Sequence, residues 1–191
     1  MHVVKPLLAF FAAAAATGCA PYNHDFYDID VPGRQLSNRC GIPETAKFAY
    51  HGLDIRVGIN VISMSPAFTL LVDVPEGLVA RFVSDVVTIH EPLDSSGLKI
   101  NYQLRTFNSE YTGIASAIAP MIGKSFVHQN FFGEVTTQNT FFFGLLPEFR
   151  ANEVKGLVTL PSMDINGTTF PPLIIPYRKT SKFVFASLNG C

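Results

Sequence analysis

Between Leu53 and Val61 every second side chain is apolar: Leu53, Ile55, Val57, Ile59 and Val61 alternate with Asp54, Arg56, Gly58 and Asn60. A period of two sends alternate side chains to opposite faces of an extended chain, so this stretch reads as a strand with one face in a core and the other in water. Segments of the same kind recur along the chain. Ala67 to Val74 is a more continuously apolar run, closed by Val74-Pro75-Glu76-Gly77, with Pro placed to open a turn and Gly to finish it. Leu78 to His90 is rich in β-branched residues, and its length suggests two strands or one bent at Ser84-Asp85. After the turn Asp94-Ser95-Ser96-Gly97, Leu98 to Phe107 alternates again.

The second half keeps this rhythm with one interruption. Ile114, Ile118, Met121 and Ile122 are spaced like one helical face, and Pro120 disfavours its continuation, so a short helix or long loop is expected over 113–123. Ser125 to Phe132 and Thr140 to Leu146 read as a hairpin connected through Gly133 to Asn139. Glu153 to Leu160 and Thr169 to Tyr177 flank a segment containing Asn166-Gly167, a strong two-residue hairpin signal because both positions need positive φ. Pro171, Pro172 and Pro176 cannot donate to a ladder, which predicts an edge or bulged strand there. Lys182 to Leu188 closes the series. About eight to ten short strands with turn signals between them predict an all-β domain: an immunoglobulin-like β-sandwich, or alternatively a small β-barrel. With no Trp in the chain, the Cys…Trp…Cys hallmark of true immunoglobulin domains is missing.

The first residues do not belong to that domain. Lys5 is followed by an unbroken apolar stretch from Pro6 to Ala16, too short to span a bilayer but suited to the apolar region of a secretory signal. Ala16-Thr17-Gly18-Cys19 ends it, and this arrangement resembles the lipobox of bacterial lipoproteins. The resemblance implies cleavage before Cys19 and lipid on its thiol. It also implies a cell-envelope address. Because Ala20 rather than Asp follows the cysteine, the rule for Gram-negative members of this class implies the outer membrane, facing the periplasm. Plain secretion or a periplasmic location is the alternative. Residues 1–18 are thus a signal peptide, 19–39 a lipidated N-terminus and tether, and 40–191 the β domain. Pro21, Asn23, Pro32, Gly33, Ser37 and Asn38 mark the tether, which shows no sustained apolar period.

Three cysteines divide into one and two. With Cys19 lipidated, Cys40 and Cys191 are left to pair in an oxidising compartment. The chain carries 14 basic and 15 acidic side chains with no clustering of either sign, which removes the footprint of a nucleic-acid binder. Asp25, Asp28 and Asp30 lack the Gly and distal Glu of a calcium loop. Gly123-Lys124-Ser125 lacks the earlier glycine of a phosphate loop, and no elbow serine, zinc-protease helix or paired-cysteine zinc spacing occurs. His24, His51, His90 and His128 fall on separate segments; a catalytic pair such as His90 with Glu91 could only be assembled by folding. Asn166-Gly167-Thr168 matches a glycosylation pattern that the turn already explains. No cofactor, metal or catalytic residue is expected.

Aromatic clusters are the one feature beyond a scaffold. The chain has 17 Phe, and Phe131-Phe132 and Phe141-Phe142-Phe143 are contiguous. Alternation puts Phe141 and Phe143 on one face and Phe142 on the other. Phe131, Phe132 and Phe142 therefore form a candidate binding patch, unless the second face is covered. The expected function is non-enzymatic: an envelope lipoprotein, bound to the membrane by its lipid, presenting a β module to another envelope protein. Two alternatives are a carrier holding an apolar ligand in a Phe-lined cavity and a hydrolase with a site assembled from separate strands.

Overall fold

The computed structural model describes residues 19–39, 42–62, 65–91, 98–107, 114–130, 133–146 and 155–187. In chain order its strands are β1 (Cys19–Ile29), β2 (Gln35–Arg39), β3 (Ile42–Tyr50), β4 (Leu53–Ile62), β5 (Ser65–Val74), β6 (Val79–Phe82), β7 (Val86–Glu91) and β8 (Leu98–Phe107). They continue as β9 (Ile114–Ser116), β10 (Met121–Ile122), β11 (Ser125–Asn130), β12 (Gly133–Leu146), β13 (Lys155–Leu160), β14 (Met163–Ile165), β15 (Thr168–Phe170) and β16 (Leu173–Ser187). The expected all-β class is the one found. Twelve strands form one sheet, ordered β1-β16-β13-β7-β8-β12-β5-β4-β3-β2 with β9 on β8 and β11 on β12, and four form a second, ordered β10-β6-β14-β15.

Every pairing is antiparallel. The two end strands of the large sheet, β1 and β2, are consecutive in sequence, so a link of a few residues joins its opposite edges. The sheet must therefore curl until those edges come together, and β1 indeed packs against β3 and β4. Arg34 holds this corner, with Nη1 at 3.1 Å from Asp28 and 3.6 Å from Asp30. The result is a half-barrel whose inner face carries Ile55, Val57, Leu70, Val72, Val87, Leu104, Phe143, Val158 and Ile175, all buried. The small sheet adds Ala80, Phe82, Met163 and Ile165 to that core, and the Phe82 ring meets Phe143 edge-on at 5.3 Å.

Antiparallel order also fixes the ends. Cys19 starts β1 at one rim, where β2 and β16 finish. The turns β3–β4 and β5–β6, and the starts of β7, β12 and β16, lie at the opposite rim. Both hairpin turns with positive φ use the geometry their residues favour: His51 and Gly52 at 47° and 87°, Asn166 and Gly167 at 49° and 81°.

Several expectations are corrected. The 19–39 segment read as a tether contains β1 and β2. Its buried pair, Tyr27 and Ile29, lies near the end of β1, too short a run to show a period in the sequence. Where a helix or long loop was expected over 113–123, residues 114–122 form β9, a turn and β10, since pairing with β8 and β6 satisfies their backbone. Gly133–Asn139, expected as a connection, is the first half of β12. The strand carrying Pro176 is not an edge, being flanked by β1 and β13. Pro176 is tolerated because it faces the end of β1, where its carbonyl accepts the Asp30 N–H at 2.9 Å and no donor is required of it.

Candidate functional site

Five neighbouring strands place one polar group or one gap each around Glu91, the only buried charged side chain among the described residues, at 5% exposure. Tyr177 on β16 donates its phenolic hydrogen to Glu91 Oε1 at the end of β7. Between them runs β13, where Gly156 lies opposite Tyr177. A Cβ at 156 would collide with the Tyr177 hydroxyl and the His90 carbonyl, so the glycine is the gap through which the phenol crosses. Tyr27 on β1 meets the Tyr177 ring edge-on at 5.8 Å, and Tyr102 on β8 is buried nearby.

Burial, the hydrogen bond to Glu91 and the carboxyl charge push the Tyr177 phenol far above its ordinary range. Burial also raises Tyr27 and Tyr102, the Glu91 charge adding to both. Raised in this way, the phenols stay protonated at neutral pH, and Tyr177 donates to Glu91. His90 cannot join Glu91, because consecutive residues of β7 face opposite ways and His90 points out of the core. The cluster is a polar belt that fastens the edge strand β1 into the sheet.

The second candidate is the outer face at Phe142. In register, Phe142 on β12 lies beside Leu71 on β5 and Phe107 on β8, with Arg56 one strand further on. Arg56 grips Asp73 with Nη2 at 2.9 and 3.1 Å from its two oxygens, and Thr140 donates to the same carboxylate. Phe143 is buried, Phe141 packs against the core and Phe142 is half-buried on the other face, the division that alternation requires. Phe142 is thus flanked by Leu71 and the Arg56–Asp73–Thr140 network rather than standing out as an aromatic knob.

The remaining predicted residues divide. Cys19 is the first residue of β1, opposite Ser187. Cys40, Cys191, Phe131 and Phe132 lie outside the described residues. The histidines stay apart on β1, β7, β11 and the β3–β4 turn, where His51 stacks on Phe170 at 3.7 Å. Among the described residues no group of His, Cys, Asp and Glu could hold a metal. A cleft of about 210 Å³ beside the β1–β2 corner is lined by Gln35, Phe48 and the Lys47–Asp54 ion pair, whose charges satisfy each other at 2.8 Å.

Sequence reading missed the rim opposite Cys19. There Val79 and Ile122 are cross-strand neighbours at 42% and 50% exposure, and Phe126 on β11 is 51% exposed. Single apolar residues in a strand pattern give no sign of which face they take, and only pairing into the small sheet reveals it. Comparisons with protein-family models, with curated proteins and with solved structures give no match.

Proposed function

We propose that this chain is a non-enzymatic lipoprotein of the cell envelope, anchored by lipid on Cys19, whose β fold serves as an interaction or structural module. The observation that carries the reading is the lipobox-like Ala16-Thr17-Gly18-Cys19 at the end of the apolar run from Pro6 to Ala16, together with the place of Cys19 on β1 at the rim where β16 finishes. The Arg56–Asp73–Thr140 network on the outer face and a belt of protonated phenols inside favour a scaffold over a catalyst. The packed inner face likewise favours a scaffold over an apolar-ligand carrier.

A disulfide between Cys40 and Cys191 belongs to the same proposal. Its support is topological: β2 and β16, the strands that precede the two cysteines, run towards the same rim. Anchoring is tested by Cys19→Ser in cells fed a labelled fatty acid. Loss of label and a move from the membrane to the soluble fraction are expected. Label retained on the Ser variant would overturn the reading.

A further inference from the structure

Charge is unevenly divided between the two rims. The rim opposite Cys19 carries Asp30 and Arg34 at the β1–β2 corner, Glu76 in the β5–β6 turn and Asp85 ahead of β7. At the Cys19 rim two antiparallel pairs end without a charge. Along β1–β16 the rungs run Ala20↔Ala186, Pro21↔Phe185, Tyr22↔Val184 and Asn23↔Phe183, and the first charged residue is Lys182, opposite His24. Along β4–β5 no charge occurs past Arg56, from Val57 through the turn to Val72. β4 packs against β1, which makes the two pairs neighbours.

Charge resumes behind these ends. Lys179 pairs with Asp25 at 3.1 Å, and Arg178 reaches Asp28 at 3.9 Å. Lys155 at the start of β13 lies opposite Arg178, and Lys99 of β8 lies opposite His90, so both cations also stand behind the apolar rungs. The β2–β3 pair brings Arg39 and Glu44 to the rim, one charge of each sign. From Cys19 to His24 the chain rises about 17 Å, or about 12 Å of depth at the roughly 45° tilt of strands in a curled sheet. Interfacial segments enter the headgroup and acyl boundary by about 5–10 Å. The uncharged rungs of β1–β16 are too few to span, which takes about 9–11 residues per strand.

We propose that the Cys19 rim is a membrane-seating surface. The uncharged rungs of β1–β16 and the β4–β5 turn enter the interfacial layer of the bilayer that holds the Cys19 lipid, up to the level of Lys182. This rests on the reading of Cys19 as lipidated and names what else touches the membrane. The occupant follows from position: lipid on Cys19 brings the bilayer to the first rung of β1–β16, and the apolar rungs come next. Aromatic residues with cations just behind them are the order met on crossing from acyl chains to headgroups. One cation and one anion on β2–β3 suit a zwitterionic headgroup layer.

The chain has no Trp, so a single substitution reports one position. Phe185→Trp, Ile62→Trp and Phe126→Trp are each made in the full lipidated protein, purified from cells and reconstituted in phosphatidylcholine vesicles. Replacing part of the lipid by phosphatidylcholine with brominated acyl chains should remove most of the emission at 185 and 62. Emission at 126, on the opposite rim, should be unchanged. Emission at 185 or at 62 that survives the brominated lipid would overturn the proposal, as would quenching at 126. Blue-shifted but unquenched emission at 185 would mean that protein, not lipid, covers those rungs, and would overturn it equally. Two probes on separate strand pairs guard against one variant that fails to fold. Fatty-acid label on the wild type reads the anchor: its absence would remove the anchor and the seat together, whereas labelled protein with surviving emission would remove the seat alone.

Discussion

Gly156 and Tyr177 show how one missing Cβ sets a contact three strands wide. Gly156→Ala forces the phenol away from Glu91 and should cost about 1–3 kcal/mol, the usual penalty of overpacking. Tyr177→Phe removes the donor to a buried carboxyl and should cost a similar amount, about 1–3 kcal/mol. The two are in contact, so the double variant should fall short of the sum in urea titrations. Additive costs would show that the belt is not a unit. The raised tyrosines also give a pH dependence with a definite sign. Unfolded chains release phenolic protons near pH 10, whereas Tyr27, Tyr50, Tyr102 and Tyr177 hold theirs above it. The folded state then binds more protons, and stability falls as pH rises through and beyond about 10. A urea midpoint no lower at about pH 10.5 than at about pH 8 would contradict this. At the Phe run, Phe143→Ala empties core and should cost about 3–5 kcal/mol. Phe142→Ala on the half-buried outer face should cost about 1 kcal/mol, and a value as large as that of Phe143 would mean its face is covered.

Among elements, β1 departs furthest from the sequence reading. Its register with β16 runs from Cys19↔Ser187 to Ile29↔Tyr177, so the segment read as a leash is half of a long antiparallel pair. Amide exchange at 26–29 should be as slow as in β16, and exchange at the rate of free peptide would restore the tether. The β14–β15 hairpin was legible because Asn-Gly needs no tertiary context. Its role was not: Asn166 Oδ1 accepts the Val79 N–H at 2.8 Å, and the Asn166 N–H returns to the Val79 carbonyl at 2.9 Å, fastening the turn to β6. Asn166→Ala loses both the side-chain bond and an easy positive φ, and about 1–2 kcal/mol of destabilisation is expected from a thermal or urea melt.

At the scale of the molecule, closure of the large sheet through the β1–β2 corner separates two rims. The Cys19 rim gathers the ends of β2 and β16, and the opposite rim gathers the small sheet and the β11–β12 ribbon. Cys40 and Cys191 are expected to resist alkylation in oxidised material, with both thiols protected by intact mass. Their bond would close a loop of about 150 residues, worth up to roughly 5 kcal/mol by chain entropy. Two alkylated thiols would remove the staple and leave the anchor untouched.

The sequence by itself determined the all-β class, the strands from Leu53 to Val74, the break at Ser84-Asp85, the Asn166-Gly167 turn and the opposed faces of Phe142 and Phe143. Each of these rests on a period of two or on local φ preferences, which need no distant partner. Only the tertiary structure decided that β1 belongs to the sheet, that Glu91 is buried among tyrosines and that β11 pairs with β12. Those outcomes depend on which strand lies beside which, because a ladder joins residues far apart in the chain. Hydrogen bonds between backbones are blind to side-chain identity, so the sequence carries little record of them.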